Sequence, residues 1–117
     1  MKDISSTSDT ASKMSSNGGV YFVPGFHGLQ APVMDPSATA GFIGLTLAST
    51  RHQMLRSLLE SIAFSQKQLV EAFLSETDYK FEKLIVDGGV ARNDFILQMI
   101  ANLTGKYIEV KTILSYP

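Results

Sequence analysis

Hydrophobic positions recur at helical spacing through the middle of the chain. Leu55, Leu58, Leu59, Ile62, Leu69, Ala72 and Phe73 fall close to a 3.6-residue period and predict one apolar stripe. Thr50 is placed to cap this helix, and Gln53, three residues on, completes a capping box. Arg51, Arg56, Lys67 and Glu71 suit its solvent side, and the helix is expected to fade between Glu76 and Asp78. A shorter stripe, Phe95, Ile96, Met99, Ile100 and Leu103, predicts a second helix over 93–104. Gly105 is its expected C-cap, because glycine tolerates positive φ there.

Outside these helices the period changes. Val20-Tyr21-Phe22-Val23 is β-branched and aromatic, reads as a strand, and is stopped by Pro24-Gly25. Residues 26–46 carry Gly28, Pro32, Pro36, Gly41 and Gly44, which forbid a long helix and suggest an ordered loop with a short hairpin. Phe42-Ile43 reads as a brief strand. Lys83-Leu84-Ile85-Val86 reads as a buried strand ending at Asp87-Gly88-Gly89, and residues 107–110 as a last strand. The alternation of strands and helices favours an α/β fold with a largely parallel sheet. Residues 1–17 are polar and rich in Ser and Thr, and a flexible segment is expected there. There is no internal repeat.

Composition narrows the function classes. The 117 residues, 44% of them hydrophobic, fit one small domain or a piece of a larger one. A net charge of -1 gives no basic excess to attract nucleic acid or a membrane surface. The absence of cysteine excludes disulfides and thiolate metal sites and suits a reducing compartment. Residues 1–17 hold no apolar core of a secretory signal, and no apolar run approaches the ~20 residues of a membrane helix. The expectation is a soluble, cytoplasmic protein with neither nucleic acid nor membrane as partner.

Chemistry concentrates in Leu84-Ile85-Val86-Asp87-Gly88-Gly89-Val90-Ala91-Arg92-Asn93, a strand, two glycines and a helix start. Ligands of α/β sheets bind outside the carboxyl ends of the strands. Glycine there lets backbone approach a ligand, and a following helix start favours anions. Asn93 either caps the helix or offers its amide to a purine, and the pattern alone favours an ordinary β–α turn. Asp87 either faces a metal-bound phosphate or, the favoured reading, caps its own turn. His27 and His52 are too isolated for a metal site, and no Walker-type loop occurs. Ser61 and Ser65 lack His or Asp partners, Asp35 before Pro36 reads as a turn residue, and Glu60 as a structural carboxylate. No catalytic residue and no metal ligand is assigned.

Taken in order, these segments resemble the glycerol kinases of the FGGY carbohydrate kinase family. The run from Gly19 to Pro32 followed by Asp35-Pro36 is similar to a GVYFVPAFSGL-AP--DP stretch. Gly44-Leu45-Thr46, Leu59-Glu60-Ser61-Ile62-Ala63, and Val86-Asp87-Gly88-Gly89 with Asn93 and Gln98 follow at matching spacing. Leu29-Gln30-Ala31-Pro32 and Ala63-Phe64 lean toward a divergent animal branch. Thr39-Ala40-Gly41 departs from a usual Ala-Arg-Gly, and Met34 from a frequent Trp.

The resemblance implies part of an actin-like, ribonuclease-H-like lobe: a flexible 1–17, a partial C-terminal FGGY domain over 18–110, and a divergent tail over 111–117. It further implies ATP and Mg²⁺ in the full-length enzyme, glycerol as acceptor, and nucleotide contact at Gly88, Gly89 and Asn93. The family's catalytic base and polyol contacts come mostly from upstream sequence, so the chain alone is expected to be inactive. Two other readings stand open: a fragment of another FGGY sugar kinase, and a non-catalytic module that packs on a full-length kinase, a second copy or another partner through uncovered apolar surface.

Overall fold

The computed structural model describes residues 11, 12, 16–26, 28, 29 and 33–111. Strands β1 (Tyr21–Val23) and β2 (Gly41–Ile43) are followed by helix α1 (Arg51–Glu76) and strand β3 (Lys83–Val86). A single 3₁₀ turn (Gly89–Arg92), helix α2 (Asp94–Thr104) and strand β4 (Tyr107–Val110) complete the order. No helix among the described residues is long and apolar enough to cross a membrane.

The helix ends follow from local chemistry. The Thr50 hydroxyl accepts from Gln53 N, and the Gln53 side chain accepts from Thr50 N, so two otherwise orphaned amides are satisfied reciprocally. Asn93 caps α2 by accepting from Ile96 N at 3.1 Å. Gly105 closes α2 at φ 68°, its amide donating to Ala101 O.

The strands form two separate pairs rather than the one largely parallel sheet expected. β1 and β2 are antiparallel, with Phe22 opposite Phe42; β3 and β4 are parallel, with Val86 opposite Val110. The loop after β1 folds a small hairpin in which Leu29 and Asp35 exchange backbone bonds of 2.7 and 2.8 Å. Gly28 must stay small here. Its φ is +78°, and a Cβ would meet Pro36 Cα at 2.6 Å.

The Asp35 carboxylate accepts from the Ser37 hydroxyl at 2.6 Å and the Ser37 amide at 2.9 Å. Both bonds favour the ionised form, and the hydroxyl bond leads in holding its pKa below the usual Asp value. A depressed carboxyl pKa stabilises the fold above the unfolded-state value, and that contribution is lost as pH falls through the folded one. A ¹³C carboxyl NMR titration is therefore expected to place Asp35 below model Asp, and Ser37→Ala to move it back up.

The core lies where α1 crosses α2. Leu59 and Ala63 of α1 meet Ile96 and Ile100 of α2, with Leu84 and Ile108 closing in from the sheet and Ala11 buried alongside. The expectation for residues 1–17 falls mostly outside the described residues. Of those described, Ala11 is buried and Asn17 donates to Glu60 at 2.8 Å.

Three side-chain expectations are corrected by this packing. Leu69 and Phe73, assigned to the apolar stripe, are exposed, because α1 at 26 residues outruns α2 at 11. At ~1.5 Å per residue α1 leaves its last turns without a neighbour from α2. Arg56, assigned to solvent, is drawn inward as the ion-pair partner of Glu60 at 3.2 Å. β3 is covered on one face only, and Ile85 on the other face is 63% exposed.

Candidate functional site

Asp87, Gly88 and Gly89 form the turn at the carboxyl end of β3, and all three are exposed. Gly88 sits at φ +86°, a conformation that costs an L-residue ~1–2 kcal/mol, so glycine is needed there by the backbone itself. Asp87 Oδ1 accepts from Gly88 N at 2.7 Å, the self-capping reading of that carboxylate. The Ala91 amide then donates to Gly88 O at 3.2 Å, starting the 3₁₀ turn that leads into Asn93.

Gly89 differs from Gly88. Its φ lies outside the left-handed region, and a Cβ built on it would meet no heavy atom within 4 Å. Neither conformation nor packing among the described residues calls for glycine at this position. The space beside it is open to an incoming group.

Asn93 follows the glycines at the far end of the 3₁₀ turn. It is 1% exposed, with its Oδ1 committed to the α2 cap. The structure thus leaves Gly88 and Gly89 at the surface and buries Asn93. Three grooves lie elsewhere: one between β1 and α1, one along α2 beside Arg56, and one beside the loop after α1. None of them takes in Gly88, Gly89 or Asn93.

The remaining candidates have structural roles. Glu60 is buried and binds Arg56 and Asn17. The Ser61 hydroxyl donates to Leu58 O within its own helix at 2.6 Å. His52 is exposed, and His27 lies outside the described residues. No cluster of three His, Asp or Glu side chains suited to a metal ion occurs among the described residues.

Sequence reasoning passed over the contrast between the two glycines. The pair Gly88-Gly89 signalled a turn, but only the backbone angles separate Gly88, which conformation requires, from Gly89, which neither conformation nor packing requires.

The profile of the FGGY family of carbohydrate kinases, C-terminal domain, matches residues 2–113. The chain belongs to this family. Among its relatives, Glycerol kinase 5 of Danio rerio is 46% identical over 106 residues, covering 91% of this chain and 20% of that protein. Glycerol kinase of Shewanella woodyi is 39% identical over 109 residues, covering 93% of this chain and 22% of that protein. The crystal structure of Plasmodium falciparum glycerol kinase with ADP superposes with a TM-score of 0.89 at 33% identity, over 98% of this chain and 23% of that one. This FGGY chain therefore spans about a fifth of the length of the relatives it matches.

Proposed function

We propose that this FGGY domain forms one wall of the nucleotide cleft of an ATP-dependent glycerol kinase, with Gly88 and Gly89 at the nucleotide. In that reading ATP supplies the phosphoryl group that glycerol receives, giving glycerol 3-phosphate. The observation that carries it is the open space at Gly89, in an exposed turn at the carboxyl end of a parallel strand. A nucleotide fits this turn because its backbone can be approached without a side chain intervening. Identity to glycerol kinases on both sides of the animal–bacterial divide, and the ADP-bound Plasmodium structure, support the same reading.

Gly88 fixes the turn and Gly89 keeps it clear. Asn93 caps α2 through its Oδ1, so in this reading it fixes the helix that follows the turn. Three of the described carboxylates are committed to structural contacts. Asp35 and Asp87 each bind their own turn, and Glu60 is buried in an ion pair. Residues that activate glycerol, and ligands for the Mg²⁺ that accompanies ATP, belong to the rest of the kinase in this proposal. The 117-residue chain by itself is expected not to phosphorylate glycerol. A cytoplasmic location, suited to the cysteine-free sequence, is part of the same reading.

The test is a ¹⁵N NMR titration of the chain with ADP. One wall of a cleft buries little ligand, so weak binding is expected, with amide shifts concentrated at Gly88 and Gly89. Gly89→Val should weaken binding by about tenfold or more. It should move stability by no more than about 0.5 kcal/mol, the usual range for an exposed site. Shifts that avoid this turn, or a variant that binds ADP as well as the parent, would remove the basis of the proposal.

A further inference from the structure

Asn17 precedes Gly18, whereas the chain's other asparagines, Asn93 and Asn102, precede Asp94 and Leu103. A glycine after asparagine carries no Cβ to shield its amide nitrogen, which can then reach the side-chain carbonyl carbon of its predecessor. The fold keeps this glycine in place. Gly18 sits at φ +66°, and a Cβ there would run into the Gln53 side chain of the α1 capping box. A bulkier residue that would slow the attack is therefore excluded by the backbone and by its neighbour. Gly18 is also exposed to the water that the later hydrolysis needs.

The groups around Asn17 both favour this attack and restrain it. The Gly19 amide donates to Asn17 Oδ1 at 2.9 Å, the oxygen on which negative charge develops when the carbonyl carbon is attacked. Gly18 N, the attacking atom, donates to Ser16 Oγ at 3.2 Å, so an oxygen lies beside the proton it must lose. Restraint comes from Glu60. Asn17 Nδ2 donates to Glu60 Oε1 at 2.8 Å, and Glu60 is 6% exposed and paired through Oε2 with Arg56 at 3.2 Å. This bond ties the departing nitrogen to a buried charge and must break before ammonia can leave.

We propose that Asn17-Gly18 is a self-modification site, a deamidation site locked by Glu60, whose products unfasten the segment before β1 from α1. Gly18 N bonds to Asn17 Cγ, the Cγ–Nδ2 bond breaks, and Nδ2 leaves as ammonia with the proton that Gly18 N gives up. The product is a cyclic succinimide. Water opens it at one carbonyl to give aspartate and at the other to give isoaspartate, and no oxidant or cofactor enters. Aspartate sets a carboxylate where an amide had donated to Glu60, two like charges in contact with Arg56 already engaged. Isoaspartate routes the main chain through the former side chain and removes from it the Asn17 carbonyl that accepts from Val20 N at 3.2 Å. Neither step depends on nucleotide contact at Gly88 or Gly89.

The test follows the purified 117-residue chain by peptide mass spectrometry during incubation at mildly alkaline pH. Conversion at residue 17 to separable aspartyl and isoaspartyl peptides is expected, with Asn93 and Asn102 intact over the same period. The folded parent should convert more slowly than the urea-unfolded parent. Glu60→Met removes the acceptor while refilling its volume, and should speed conversion by about tenfold or more, the factor that one hydrogen bond to a charged group is worth. Asn17→Asp supplies one product directly. It should lower the Tm of the parent, and lower it less in a Glu60→Gln background, where an amide can donate to the new carboxylate. An unchanged Asn17, equal rates in the folded and unfolded parent, no acceleration in Glu60→Met, or equal losses from Asn17→Asp in the two backgrounds would each overturn the proposal.

Discussion

Ile100→Ala is expected to destabilise the chain by about 3–4 kcal/mol, near the upper part of the range for truncating a buried isoleucine. Ile100 is 3% exposed and sits where α2 crosses α1, against Leu59 and Ala63. Its neighbours cannot readily collapse into the space it leaves. Ile96 is held by the Asn93 cap one turn earlier, and Ala63 has no longer side chain to extend. The lost contact therefore adds a cavity cost to the transfer cost. Leu103→Ala, at a half-buried position on the rim, should cost clearly less. Urea unfolding of the two variants measures the difference. For a chain of this size a loss of that order corresponds to a fall in Tm of about 10 °C or more. Equal losses at the two positions would show that the α1–α2 crossing is not the centre of the core.

The parts of this fold that were legible in the sequence are those fixed by neighbours along the chain. The Thr50–Gln53 box, the Gly105 stop and β3 over residues 83–86 each depend on a few consecutive residues, and each occurs where the pattern puts it. Positions decided by what lies across the molecule were harder to read. Ile85 carries a core residue's chemistry, yet its exposure depends on a layer that no feature of β3 can report. Leu69 and Phe73 keep the helical period, but α2 is too short to reach them. The pairing of strands into two sheets also depends on distant contacts, since Phe22 meets Phe42 across a loop of irregular backbone.

The candidate site divides in the same way. The turn at Asp87-Gly88-Gly89 was visible as a strand followed by two glycines, and the capping role of Asn93 was one of its two readings. The distinct reasons for the two glycines were not visible. The space beside both is open, and Gly88 is held by its φ whereas Gly89 is held by neither φ nor packing, which only the surroundings can show.

Arg56 shows how a polar residue on an apparently solvent-facing helix row can become structural, and it supplies the second large effect. Glu60→Ala is expected to cost about 3 kcal/mol, the scale for leaving one member of a buried pair unmatched. The side chains of Arg56 and Glu60 are only 18% and 8% exposed, so solvent screening is limited. Glu60 also accepts from Asn17 Nδ2, and Arg56 donates to Ala11 O at 3.3 Å and lies 5.3 Å from the Phe95 ring centroid. One carboxylate therefore links α1 to the segment before β1 and, through Arg56, to α2. A double-mutant cycle with Arg56→Ala separates this network from a local helix pair. An i,i+4 pair on an exposed helix would couple by only about 0.3–0.5 kcal/mol. Coupling of about 2 kcal/mol or more is expected here, because removing either member leaves the other in the same buried setting. Glu60→Met should be milder than Glu60→Ala, since it refills the volume. A Glu60→Ala loss below about 1 kcal/mol, the ceiling for surface pairs, would mean that the pair is set by the helix surface alone.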